Sequence, residues 1–174
     1  MASELGVQTI QHTNGTDAMT IDTSGHVEIA NRIEWPDKPA FTVGYNSTTG
    51  VYASTVTSGG MANTIPFNAV VASRNANAYS GWSNSTHIYT VPIAGPYLIS
   101  LFALTQTAAD FEIAVAVNQS FASAGRFFCS SNRGVSGTVL VNLSVNDEVQ
   151  AYSNRTVYLD SNSNYSGMSI VYMG

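Results

Sequence analysis

Side-chain chemistry has few places to start in this 174-residue chain. The three histidines, His12, His26 and His87, are far apart, and Cys129 is the only cysteine, so no intrachain disulfide forms. Nucleophilic catalysis needs a base and an orienting group beside the nucleophile. No Gly-x-Ser-x-Gly elbow is present, which leaves only a triad assembled in space from distant segments. One Cys and three scattered His offer no paired spacing for zinc. Calcium takes about six or more oxygen ligands, and no Asp-x-Asp cluster supplies them. Ser58-Gly59-Gly60 lacks the Lys and helix of a phosphate-cradling loop. No catalytic residue, metal or cofactor is therefore expected. Glycan hydrolysis is the catalytic alternative, because it needs only two carboxyls roughly 5–10 Å apart. Asp110 and Glu112 share one strand face and Asp147-Glu148 sits in a turn, so both pairs also read as solvated edge or turn residues.

Recognition chemistry is better represented. The segment Ser73-Arg74-Asn75-Ala76-Asn77-Ala78-Tyr79-Ser80-Gly81-Trp82-Ser83-Asn84 sets Arg, Tyr and Trp among amides and hydroxyls. Aromatic faces stack on sugar rings while Asn side chains bond hydroxyls. Ser130-Ser131-Asn132-Arg133-Gly134 is a second candidate, and Asn154-Arg155, with residues 160–164 beyond, is a third. Trp82 is the first expected ligand contact, followed by Arg74 and Arg133, with Asn132 and Asn84 beside them; Tyr79 is expected to pack structurally.

Only 10% of residues are charged, and Ser, Thr and Asn number 21, 17 and 15. Such a surface suits neutral, hydroxyl-rich ligands and predicts weak salt dependence. A net charge of −5 excludes a nucleic-acid binder. The acidity is concentrated in the first forty residues. No run of apolar residues is long enough to span a membrane, and Met1-Ala2-Ser3-Glu4 does not open a signal peptide. Seven Asn-x-Ser/Thr patterns follow from composition and are not read as glycosylation. Cys129, within Phe127-Phe128-Cys129, reads as a buried small hydrophobe.

The elements that must position these residues are strands. Period-two alternation recurs between Gly, Asn and Ser punctuation, and helical periodicity is nearly absent. In residues 108–117, Phe111, Ile113, Val115 and Val117 share one face. In residues 138–145, Val139, Val141, Leu143 and Val145 do. Residues 97–104 and 168–173 are apolar on both faces, so in a two-layer sandwich one face needs cover from another subunit. Tyr97, Ile99, Leu101, Met168, Ile170 and Tyr172 are taken as that interface. Toward the N-terminus, Thr13-Asn14-Gly15-Thr16 signals a type I′ hairpin, and Asp22-Thr23-Ser24-Gly25 a turn with Gly at positive φ. The short strands between carry Met19, Ile21, Val27 and Ile29, too few to form a core alone and expected to face a three-fold axis. Glu34-Trp35-Pro36-Asp37-Lys38-Pro39 reads as a stiff linker, with Trp35 packed on the head's base.

Several landmarks fall in a consistent order: Pro39-Ala40-Phe41-Thr42-Val43, Ile65-Pro66-Phe67-Asn68, Asn75-Ala76-Asn77-Ala78-Tyr79, residues 88–100 with their Pro/Gly corner, Leu140-Val141-Asn142-Leu143, Asn146-Asp147-Glu148-Val149, and Tyr165-Ser166-Gly167-Met168-Ser169-Ile170. Together they resemble the globular head of the first complement component and its tumour-necrosis-factor-like relatives, over residues 39–174. The resemblance implies an all-β jelly-roll sandwich of about ten strands, trimeric, and devoted to recognition instead of catalysis. Residues 9–27 resemble segments that precede the C-terminal domains of bacteriophage tail fibres and related virion proteins.

The expectation is thus a β-hairpin arm with linker (1–38) and a jelly-roll head (39–174). The chain is read as a non-enzymatic homotrimeric virion fibre or appendage protein, made in the host cytoplasm. Its head would recognise a bacterial surface glycan or protein, with other virion proteins as partners. The alternatives are a purely structural trimerisation cap or virion decoration, and a glycan hydrolase.

Overall fold

The computed structural model describes residues 9–11, 17–29, 38–46, 51–53, 64–74, 78–121, 125–159 and 165–174. They are all-β, and the chain divides into two compact units, Met1–Trp35 and Pro36–Gly174. The type I′ hairpin expected at Thr13–Thr16 and the packing expected of Trp35 lie outside the described residues.

The first unit is a three-stranded antiparallel sheet of β1 (Thr9–Gln11), β2 (Asp17–Ile21) and β3 (Val27–Ile29). Ile10 opposes Met19, Met19 opposes Ile29, and Ile21 opposes Val27. The sheet has too little mass to enclose these residues, and Ile10, Ile21 and Val27 stay exposed. The turn after β2 forms as its residues dictate. Asp22 accepts bonds from the amides of Ser24 and His26, both at 2.8 Å, and Gly25 adopts a φ of 83°. These amide donors, that of His26 foremost, hold the Asp22 carboxyl below its usual pKa.

The second unit contains ten strands among its described residues: β4 (Ala40–Gly44), β5 (Val51–Ala53), β6 (Ala69–Ser73), β7 (Trp82–Ser83), β8 (Ile88–Thr90), β9 (Gly95–Val117), β10 (Arg126–Leu143), β11 (Glu148–Ser153), β12 (Val157–Leu159) and β13 (Gly167–Tyr172). β9 and β10, at 23 and 18 residues, are far longer than ordinary strands because each crosses from one layer to the other. Residues 95–104 of β9 lie between β13 and residues 134–143 of β10, with β4 and β6 beyond β13. Residues 111–117 lie between residues 126–129 of β10 and β11, with β8 and β7 beyond. The register of β10 slips twice around Asn132, and Ser131 takes a φ of 56°, so the bend is a bulge.

Between the layers, Phe41, Val43, Tyr97, Ile99, Leu101, Met168 and Ile170 meet Tyr89, Phe111, Ile113, Val115 and Val149. Phe41 and Tyr89 join the layers with ring centroids 5.1 Å apart. Gly137 is where Phe127 lies flat on β10, and a Cβ there would fall 2.0 Å from the ring. Asp147 is turn chemistry as expected. It accepts bonds from the Ser144 amide at 2.7 Å and the Asn118 side chain at 2.8 Å, which lower its pKa. Val145, expected on the inner face, lies in that turn beyond the end of β10 and is exposed.

One expectation is overturned. Tyr97, Ile99, Leu101, Met168 and Ile170 are at most 1% exposed and Tyr172 is half-buried, so these side chains belong to the core of their own chain and are no surface for another subunit. The pleat gives the reason: in register, Tyr97 meets Tyr172, Ile99 meets Ile170 and Leu101 meets Met168, all on the inner face. The outer face of the same strands carries Leu98, Ser100, Phe102, Leu104, Ser169 and Val171.

Because the two units hold their contacts internally, removal of residues 1–34 is expected to leave a folded head of lower melting temperature. Circular dichroism of the truncated chain checks this, and a head that fails to fold contradicts it.

Candidate functional site

The expected recognition residues separate into two groups. Trp82 is half-buried, packs against the core and sits 6.5 Å from the Phe41 ring. Its indole N–H donates to Asn84 Oδ1 at 2.7 Å, which engages both residues with each other. The Trp–Asn pair therefore braces the β7 turn. Tyr79 packs on Phe41 as expected. Arg74 lies at the end where the chain enters the head, its amide bonded to the Ala40 carbonyl at 2.9 Å. Trp82→Ala is accordingly expected to destabilise the head by about 2 kcal/mol, less than a fully buried Trp would cost. A chemical-denaturation midpoint measures this, and an unchanged midpoint refutes the bracing role.

Asn132-Arg133 of the second candidate segment and Asn154-Arg155 of the third lie at the opposite end of the sandwich, where β9 and β10 cross between layers, while residues 160–164 lie outside the described residues. Three neighbouring strands present a grid of outward positions. Arg126 pairs with Ala114, which pairs with Tyr152. Phe128 pairs with Glu112, which exchanges bonds with Asn154 at 2.9 and 3.0 Å. In the last row Ser130 donates to Asp110 Oδ1 at 3.0 Å, and Arg155 Nε donates to the Asp110 carbonyl at 2.8 Å. Beyond it, Asn132 donates to the Ser130 carbonyl at 3.2 Å, and Arg133 Nε donates to the Thr105 carbonyl at 3.2 Å.

Alternation explains why these side chains share a surface. Phe127 and Cys129 turn inward, so Arg126, Phe128 and Ser130 turn outward. Cys129 behaves as the expected small hydrophobe, half-buried against the core. Phe128 is 64% exposed, the most exposed phenylalanine among the described residues. Large apolar rings are ordinarily covered, and an exposed ring beside amides, hydroxyls and charges has the composition of a sugar-stacking platform. Phe121 and Tyr152 pack as a tilted pair with centroids 4.6 Å apart in the neighbouring row, and the Arg126 guanidinium lies 5.4 Å from the Phe121 ring.

Asp110 and Glu112, the carboxyls weighed for hydrolysis, sit in this grid but are already engaged. Glu112 is ion-paired with Arg126, which raises the arginine's pKa, and Asp110 holds Ser130. Asp110 itself is exposed. His26 bonds Asp22 at 3.0 Å in the turn after β2, and His87 Nδ1 lies 2.8 Å from the Phe67 carbonyl. Among the described residues no cluster of His, Cys, Asp and Glu could hold a metal ion, and no helix is long and apolar enough to cross a membrane. Sequence reasoning missed Phe128 because Phe127-Phe128-Cys129 looks uniformly buried. Counting parity from the inward Val139 and Val141 cannot cross the bulge at residues 130–133.

No family model and no curated protein matches the sequence. Solved structures do match the fold. The chain is similar to the globular domain of zebrafish complement 1qA at 17% identity, covering 79% of this chain and 98% of that one with a TM-score of 0.53. It is similar to murine APRIL at 13% identity, with 78% and 99% covered and a TM-score of 0.56. It is also similar to Eiger TNF from S. frugiperda at 12% identity, with 79% and 94% covered and a TM-score of 0.53. The head therefore has the jelly-roll fold these domains share.

Proposed function

We propose that this chain is the non-catalytic recognition head of a virion fibre, assembled as a homotrimer and binding a bacterial surface glycan. The observation that carries the reading is that one sandwich has two outer faces of opposite character. The outer face of the β6-β4-β13-β9-β10 layer carries an apolar row across four strands, Ala40, Val171, Leu98 and Leu140. A hydroxyl row lies next to it, with Thr42 bonded to Ser169 and Ser100 to Thr138, both at 2.9 Å. Beyond that, Phe102, Leu104, Gly134, Ser136 and Tyr165 line an open depression of about 300 Å³. Such a face suits other copies of the same chain. The opposite layer presents the polar and aromatic grid around Phe128, which suits a sugar.

The exposed apolar residues of the β1–β3 sheet support the same reading, since three copies would cover what one leaves wet. The resemblance of residues 9–27 to tail-fibre segments supports the virion assignment and an extracellular place on the particle. Trivalency then raises a weak sugar contact to useful avidity. Light scattering tests the assembly, with a mass near three times 18.4 kDa expected. Attachment of the labelled protein to bacterial cells, blocked by their purified surface polysaccharide, tests recognition. Attachment that survives removal of surface polysaccharide overturns the glycan reading.

A further inference from the structure

We propose that the base of the head is a force-bearing clamp, which resists tension between the linker and the crossing end and opens when the first and last strands are drawn apart. Its biological sense rests on the virion reading above, since an appendage held by a particle at one end and a cell at the other is under tension. The mechanics themselves need no ligand.

Topology supplies the asymmetry. β4 is the first strand after the linker and runs lengthwise from Ala40 at the base to Gly44. Beside it, β13 runs the other way, from Gly167 opposite Phe102 near the crossing end to Tyr172 opposite Tyr97 at the base. β4 is bonded on both sides, to β13 and to β6. Ladder bonds lie perpendicular to the strands. Tension between the linker and the crossing end therefore runs along β4 and loads the bonds of both ladders together. At the crossing end it enters β10, whose residues 134–143 pair lengthwise with β9 in the same sense. Tension between Lys38 and Gly174 acts differently. Both lie at the base, so the pull is directed across the β4–β13 ladder and loads it one pair at a time, from Ala40 and Val171 inward.

Side chains gather where such peeling would begin. Lys38 Nζ donates to the Gly174 carbonyl and lies 4.9 Å from the centroid of the Tyr172 ring. The Tyr172 amide donates to the Pro39 carbonyl at 2.8 Å, and its hydroxyl to the Ala94 carbonyl at 3.3 Å. The same ring meets Tyr97 edge-on at 5.2 Å, and the Met173 amide donates to the Pro96 carbonyl at 2.9 Å. Residues 38–40, 94–97 and 172–174 are thus tied together at one point. Contacts of this kind add little to equilibrium stability where water competes for them. Placed at the leading edge of the peel, they must break before the first ladder pair is reached, so they act on the rate of opening under load.

The test is force spectroscopy on the full chain, with one handle at the N-terminus and the other in one of two places. The axial tether uses Asn132→Cys in a Cys129→Ser background, so that one thiol reacts; the peeling tether uses the C-terminus. Both run through the arm, whose opening is common to the two, and one labelled chain is pulled in each. The head is expected to rupture at about twofold higher force or more in the axial geometry at equal loading rate. Lys38→Met is expected to lower the peeling force and leave the axial force unchanged.

Equal forces in the two directions, or a higher force on peeling, overturn the proposal. An equal loss in both directions on Lys38→Met shows that Lys38 acts through overall stability and overturns the clamp. The comparison of directions needs no change at Lys38, so it stands even if that variant does not fold. Failure of the protein to attach to cells overturns the recognition reading and leaves a measured anisotropy standing, whereas equal forces leave the recognition reading untouched.

Discussion

Ile99→Asp is expected to leave no folded protein. Ile99 is fully buried, with Ile170 opposite it on β13 and Val139 opposite it on β10. Neither residue opposite it carries a charge or a donor to pair a carboxylate. The substitution removes the transfer energy of a buried isoleucine, and it also forces either an unpaired charge or a protonated acid into the core. The combined cost is about 5 kcal/mol or more, against a total stability of roughly 5–15 kcal/mol for an ordinary domain. Far-ultraviolet dichroism and a sedimentation assay after expression read the outcome. The neighbouring substitution Ser100→Asp is the control, because Ser100 faces outward beside Thr138. A soluble, cooperatively melting Ile99→Asp protein contradicts the inward parity of residues 97–103.

Leu98→Glu combined with Leu140→Glu is expected to do the opposite: keep the fold and abolish self-association. The two leucines face each other across β9 and β10 on the outer side, and Leu140 is 64% exposed in the single chain. Neither is needed to close the sandwich core. If three copies pack through this face, each leucine contributes roughly 1.5–3 kcal/mol on burial, and each glutamate in its place adds an uncompensated charge to the interface. The mass by light scattering should fall from three times to one times 18.4 kDa while the dichroism spectrum is unchanged. A variant that keeps the larger mass places the contact on another face. A single-chain mass for the unmodified protein removes the trimer from the proposed function.

These two sets of substitutions, at adjacent positions on the same pair of strands, separate what could be read in the sequence from what could not. Alternation in residues 108–117 made the inward set of Phe111, Ile113, Val115 and Val117 legible, because the opposite positions are Glu112 and two alanines. Residues 97–104 are apolar at nearly every position. Period two is then present without a phase, and assigning Tyr97, Ile99 and Leu101 to the outside was as consistent with the pattern as assigning them to the inside. Pairing with β13 and β10 sets the phase, and pairing is a long-range fact.

The surface proposed for recognition was half legible for a similar reason. Asn132, Arg133, Asn154 and Arg155 stood out as polar loop residues, and the structure places them at the crossing end. Trp82 also stood out by type, but only the fold shows its ring packed on the core near Phe41 and its N–H held by Asn84. Phe128 did not stand out at all.

By itself, the sequence determined the class of the molecule. Strand periodicity, turn residues such as Asp22 and Asp147, the order of the landmark segments and the lack of a helical pattern fix an all-β head, because these signals are local and each residue carries its own preference. Tertiary structure decided which face of each two-faced strand is inside and which segments become neighbours. Those properties depend on residues distant in sequence, Leu98 and Leu140 or Val43 and Met168 among them, lying on strands about 4.8 Å from one another. No local propensity encodes a distance of that kind, and so the core, the outer apolar row and the grid around Phe128 came into view only with the fold.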